Sequence, residues 1–126
     1  MPRRILIVED DTSIAQTLTL ALRSIPDVQI ERAYDGEAAL ALWNTSPAHI
    51  VVTDNHMREM SGLELTRHLR RSGAREPILM ITAYDSVALQ REAREAGVTQ
   101  LIAKPFFIDE LIDQVALLLP DSQVTA

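Results

Sequence analysis

The sequence predicts an α/β fold: a doubly wound, five-stranded parallel sheet with helices on both faces. Two observations predict it. Short apolar runs rich in β-branched residues, without alternation, occur at residues 5–8, 49–54 and 78–82. Such runs read as strands buried on both faces. Between them lie stretches with apolar residues at helical spacing, so that strand and helix alternate five times along the 126 residues. A chain of this length buries a real core without staples, and it has no cysteine to form any.

Each element has its own justification. Residues 5–8 form the first strand, which runs directly into Glu9-Asp10-Asp11. Thr12 and Ser13 can cap the following helix, whose stripe is Ile14, Leu18, Ala21, Leu22 and Ile25. Pro26-Asp27 breaks it. Residues 28–33 largely alternate apolar and polar, which places this strand half exposed at a sheet edge. Asp35-Gly36 turns the chain into a helix over 37–44 that buries Ala39, Leu40 and Trp43, and Ser46-Pro47 ends it. Strand 49–54 then delivers Asp54.

After a loop over 55–60, Ser61 caps a helix running through Leu63, Leu65 and Leu69 to Ser72-Gly73. Pro77 opens strand 78–82, and Ala83-Tyr84-Asp85 is a loop. The helix over 86–96 is weakly apolar, with Leu89, Ala93 and Ala96 on one side, and Gly97 stops it. Residues 100–103 are the last strand, Lys104-Pro105-Phe106 a loop, and 107–119 a helix carrying Ile108, Leu111, Ile112, Val115 and Leu118. Residues 1–120 are thus one domain, and the polar end 121–126 is a flexible tail. Right-handed crossovers with an edge strand at 28–33 give the order 2-1-3-4-5, a flavodoxin-like arrangement.

Composition narrows the function. The net charge of −6 argues against a general binder of nucleic acid or anionic membrane. No apolar run approaches the ~18 residues of a membrane span. The basic start, Arg3-Arg4, precedes an apolar run too short for a signal peptide. A cytoplasmic location is expected.

In a parallel sheet, every strand's C-terminal end lies on one edge, where ligands bind. Strand one delivers Glu9, Asp10 and Asp11 there, strand three Asp54, strand four Thr82 and strand five Lys104. Crowded carboxylates raise one another's pKa unless a hard dication neutralises them. Magnesium suits two carboxylates, a carbonyl and waters. One ammonium and one hydroxyl nearby then serve a phosphoryl group. The chemistry predicted is phosphoryl transfer to Asp54 as nucleophile, giving an acyl phosphate.

These residues carry a resemblance over essentially the whole chain. Ile5-Leu6-Ile7-Val8-Glu9-Asp10-Asp11, residues 51–62, Ile81-Thr82-Ala83 and Lys104-Pro105-Phe106 together resemble the receiver domain of two-component response regulators, of the chemotaxis-regulator-like kind. The resemblance implies that Asp54 takes a phosphoryl group from a histidine kinase's phosphohistidine, or from a histidine phosphotransfer protein. It implies that Glu9, Asp10, Asp54 and the backbone carbonyl of His56 bind magnesium. Thr82 becomes the switch hydroxyl, Lys104 the partner of a phosphate oxygen, and the Lys104–Pro105 bond is expected to be cis. His56 and Tyr84 fall at positions that tune acyl-phosphate hydrolysis, where a large tyrosine could shield the site from water. The protein is then a phosphoacceptor assisting its own modification, not a turnover enzyme. Its output is a domain or target protein engaged through the face of residues 86–119, which also suits a homodimer.

Two departures stand out. Where the family pattern has Met-Pro, this chain has Met57-Arg58, so a rigid turn is lost and a charge gained. The loop is then freer to move or to touch a specific partner. Three residues before the lysine the family commonly has Tyr or Phe, which swings inward with the threonine; here the switch position is Leu101, whose aliphatic side chain can change rotamer but offers no phenol to hydrogen-bond. These departures motivate a rival reading, a receiver-like interaction module acting without phosphorylation. An aspartate-nucleophile phosphohydrolase is a further rival, but the chain has no room for the cap such an enzyme needs.

Single residues also have plainer readings. Asp54 alone would be a strand-end turn carboxylate, and Asp11 an acid complementing a helix dipole. Lys104 alone would be a solvated loop residue, yet it is the only lysine among twelve basic residues. His49, His56 and His68 lack metal-ligand spacing and read as surface residues, and Trp43 as core.

Overall fold

The computed structural model describes residues 2–121, so the expected tail lies, apart from Asp121, outside the described residues. Five strands, β1 (Arg3–Val8), β2 (Val28–Ala33), β3 (Ile50–Asp54), β4 (Ile78–Thr82) and β5 (Gln100–Ala103), pair in parallel in the order β2-β1-β3-β4-β5. Five helices alternate with them: α1 (Thr12–Leu22), α2 (Gly36–Thr45), α3 (Gly62–Arg71), α4 (Val87–Ala96) and α5 (Ile108–Leu118). This is the sheet and the order expected from the sequence.

The period of two along each strand sorts the core into two layers. Ile5, Ile7, Ile50, Val52, Leu79 and Ile81 pack with Leu18, Leu22, Leu111 and Val115 of α1 and α5. Leu6, Val8 and Val51 face the other way, toward Ala39 and Trp43 of α2 and Leu65 and Leu69 of α3. Every residue of β3 and β4 is buried, as a non-alternating run requires. Edge strand β2 is half exposed, as expected. A smaller cluster of Leu63, Met80, Ala93 and Ala96 anchors α4, with Leu89 and Leu101 packed at its margin.

Several local expectations are corrected. The cap of α1 is Asp11, not Thr12 or Ser13, because its Oδ1 accepts from Ser13 N at 2.9 Å and Ile14 N at 3.1 Å. A carboxylate one residue earlier reaches both orphan N–H groups at once. Helix α1 ends at Leu22, and Ile25 is buried in the turn beyond it, while Ile14, in the first turn, is exposed. Helix α2 starts at Gly36 and runs to Thr45, with Asp35 capping it through Ala38 N. His49 is half-buried rather than a surface residue, since its Nδ1 accepts from Arg4 N at 2.8 Å.

Two further local expectations hold. Ser61 and Glu64 form a reciprocal capping box at α3. The Lys104–Pro105 peptide is cis. Among the described residues no helix is long and apolar enough to cross a membrane.

Candidate functional site

The register sets strand ends level with one another: Asp54 pairs with Ile81, and Thr82 with Ala103. Backbone bonds continue past the strands, Asn55 N to Ile81 O at 2.8 Å and Lys104 N to Thr82 O at 2.7 Å. Residues leaving β1, β3, β4 and β5 therefore emerge side by side. Glu9 and Asp54 are nearly fully buried there, at 2% and 3% exposure, and Thr82 is fully buried.

Lys104 Nζ lies 3.1 Å from Asp54 Oδ2. The other oxygen, Oδ1, accepts from His56 N at 2.9 Å. Glu9 Oε2 accepts from Asp11 N at 3.2 Å. Burial, then the neighbouring Asp54 carboxyl, push the Glu9 carboxyl up to about 8. Burial also works against ionising Asp54, but hydrogen bonds from Glu9, the His56 N–H and Lys104 outweigh it and hold Asp54 below its ordinary range. Near neutral pH the proton therefore stays on Glu9 and the charge on the strand-end aspartate.

Asp10 behaves differently. Its Oδ2 accepts from Arg58 N at 3.1 Å and lies 3.6 Å from Arg58 Nε. The charge gained in this loop reaches the acidic cluster while its side chain stays 88% exposed. Among the described residues no group of three His, Asp or Glu side chains stands ready-made for a metal. The donor set nevertheless fits a hard cation. It is all oxygen, and two of its carboxyls, Glu9 and Asp54, are buried at the same strand-end edge, where a dication would neutralise both.

Thr82 Oγ1 accepts from Tyr84 N at 3.1 Å and lies 3.1 Å from His56 Nε2. The His56 and Tyr84 rings meet edge to face, with centroids 5.0 Å apart at 89°. His56 is exposed, as expected, yet its ring engages the Thr82 hydroxyl, a contact that no spacing rule reveals. Tyr84 is 72% exposed. Leu101 stands apart from these groups, half-buried against the cluster under α4.

Two positioning residues were not singled out from the sequence. Asn55 is buried; its Oδ1 accepts from Leu63 N at 3.1 Å and its carbonyl from Gly62 N at 3.2 Å, which seats the start of α3 against the end of β3. A Cβ at Gly62 would lie 2.6 Å from the Asp54 carbonyl oxygen, so only glycine permits that approach. The signal available was a glycine directly after a helix cap and beside the acceptor loop.

Comparison with known proteins bears on the same residues. The family model described as the response regulator receiver domain matches residues 5–116. Response regulator MprA of Mycolicibacterium vanbaalenii is 39% identical over 119 residues, which are 94% of this chain and 51% of that protein. The chain spans about half the length of the curated relatives it matches. The Francisella response regulator 1452 receiver domain superposes with a TM-score of 0.85 at 32% identity, covering 92% of this chain and 95% of that one. The Vibrio cholerae chemotaxis protein CheY4 superposes with a TM-score of 0.88 at 28% identity, covering 94% and 100%.

Proposed function

Because this chain belongs to the receiver-domain family of two-component response regulators, we propose that Asp54 accepts a phosphoryl group from the phosphohistidine of a sensor histidine kinase or a histidine phosphotransfer protein. The observation that carries this reading is the 3.1 Å contact between Lys104 Nζ and a buried, ionised Asp54. An ionised carboxylate is a nucleophile, and a single ammonium beside it pre-positions a cation for the incoming phosphoryl oxygens.

The step balances simply. An Asp54 oxygen attacks phosphorus, the bond from phosphorus to the donor imidazole nitrogen breaks, and that nitrogen keeps the electron pair. Lys104 exchanges Asp54 Oδ2 for a phosphoryl oxygen. Thr82 releases its hydroxyl from His56 to donate to another. Magnesium, held by Glu9, Asp10, Asp54 and the His56 carbonyl, supplies charge neutralisation when bound. His56 and Tyr84, packed over Thr82, tune how readily water reaches the acyl phosphate. The chain assists its own phosphorylation and dephosphorylation and turns over no outside metabolite.

The movement of Thr82 reaches Leu101 through neighbouring β4 and β5, which pair as Met80 with Leu101 and Thr82 with Ala103. The face of α4, β5 and α5 then engages an output domain, a target protein or a second copy. Neither nucleic acid nor membrane is contacted directly, and the setting is cytoplasmic.

Incubation with magnesium and acetyl phosphate tests this by intact mass: one phosphoryl group is added to the parent chain and none to Asp54→Asn. The rival reading, a module working without phosphorylation, is favoured by the Arg58–Asp10 pair. It prevails if no phosphoryl is added and Asp54→Asn matches the parent in cells. Steady release of phosphate from small phosphomonoesters would instead identify a phosphohydrolase.

A further inference from the structure

Arg58 sits on the loop between β3 and α3, where the family pattern has proline. It places a hydrogen bond and an ion pair on one oxygen, Asp10 Oδ2: its backbone N–H donates at 3.1 Å and its Nε lies 3.6 Å away. The Asp10 side chain is 19% exposed and that of Arg58 is 88% exposed. The guanidinium therefore remains in solvent while reaching one carboxylate of the cluster. Lys104 already serves Asp54, so Asp10 and Asp54 each have a cationic side chain as partner.

We propose that Arg58 is a tethered competitor for the divalent cation at Asp10, and so sets the metal affinity of the site. The inference rests on the reading that Glu9, Asp10 and Asp54 take a divalent metal. A cation coordinated by Asp10 Oδ2 must displace the guanidinium from that oxygen, because two positive groups on one oxygen repel each other. The backbone N–H has a second effect: it directs the carboxylate toward the loop. Proline at this position would supply neither donor. An exposed ion pair of this kind is worth only a few tenths to one kcal/mol, so its removal should tighten metal binding about two- to fivefold.

The test measures magnesium affinity calorimetrically on the whole chain for the parent, Arg58→Ala, Arg58→Pro and Arg91→Ala. Arg58→Ala removes the guanidinium and keeps the N–H; Arg58→Pro removes both. Arg91, exposed on α4, controls for net charge. The expected order is parent weakest, Arg58→Ala about two- to fivefold tighter and Arg58→Pro at least as tight, with Arg91→Ala like the parent. In the parent, the Arg58 Nε–H resonance should also shift as magnesium is added. Parent-like affinity in both Arg58 variants, an equal gain in Arg91→Ala, or a resonance that does not move overturns the proposal and leaves the metal site standing. Absence of magnesium binding in the parent and in both Arg58 variants removes the metal site and the proposal together.

Discussion

At the scale of single residues, the site depends on a few long-range contacts whose loss has different signatures. Lys104→Met leaves a buried Asp54 without its ammonium. The variant should lose about 1 to 2 kcal/mol of stability near neutral pH, measured by urea unfolding, and acquire no phosphoryl group from acetyl phosphate. Gly62→Ala acts through backbone geometry instead. Its Cβ would press on the Asp54 carbonyl at 2.6 Å, a contact with rigid backbone on both sides. A loss of about 1 to 3 kcal/mol is expected, together with slower phosphorylation, because the strand end carrying the nucleophile must shift. Thr82 shows what residue type alone conveys and what it does not. A β-branched residue at a strand end was legible, but its hydroxyl's engagement by His56, 26 residues away, was not. Which loop side chain reaches which strand end depends on strand neighbours, and those are absent from the local pattern.

At the scale of elements, α4 is the thinnest attachment. Its own buried residues are Ala93 and Ala96, small side chains that bring little apolar area to the interface. Arg70 compensates from α3. Its guanidinium donates to the carbonyls of Gly97, Ala74 and Glu76 at 2.8 to 3.0 Å, tying the end of α4 and the approach to β4 to α3. Gly97 adopts φ +104, and a Cβ there would meet Arg70 Cγ at 2.8 Å, so glycine both ends the helix and admits the arginine. Arg70→Ala should destabilise the chain by about 1 to 3 kcal/mol. Amide exchange should accelerate at Gly97, Val98 and Thr99 well before it does in β1 and β3. Uniform acceleration across the sheet would refute this clip. The sparse apolar content of residues 86–96 was visible in the sequence, but the clip was not, because an arginine near a helix C-terminus ordinarily reads as a solvated dipole partner.

At the scale of the whole molecule, the acidic edge should set how stability depends on pH. Glu9 titrates at about 8 in the folded chain against an ordinary 4.5. Between those values the folded state holds a proton that the unfolded state releases, so stability falls as pH rises through that window. Asp54 has the opposite sign: held below its ordinary 3.8, it stabilises the folded state above that value, and the contribution is lost as pH drops through its folded value. Without divalent ions, stability should peak near pH 5 and decline by at least about 1 kcal/mol toward pH 8. Glu9→Gln should flatten the decline. Magnesium should raise the urea midpoint more at pH 8 than at pH 5, since at low pH it must displace the proton.

The sequence by itself determined the alternation of strand and helix, the strand order and the burial of β3 and β4. These follow from short-range periodicity, from hydrophobicity and from the handedness of crossovers. It also determined which polar residues leave the sheet together, because parallel strands all end on one edge. Only the tertiary structure decided how those residues pair: Lys104 with Asp54 across 50 residues, and Arg58 with Asp10 across 48. The physical reason is that a strand's period of two aims its side chains, whereas a loop side chain takes its direction from whatever charge its neighbours leave uncompensated.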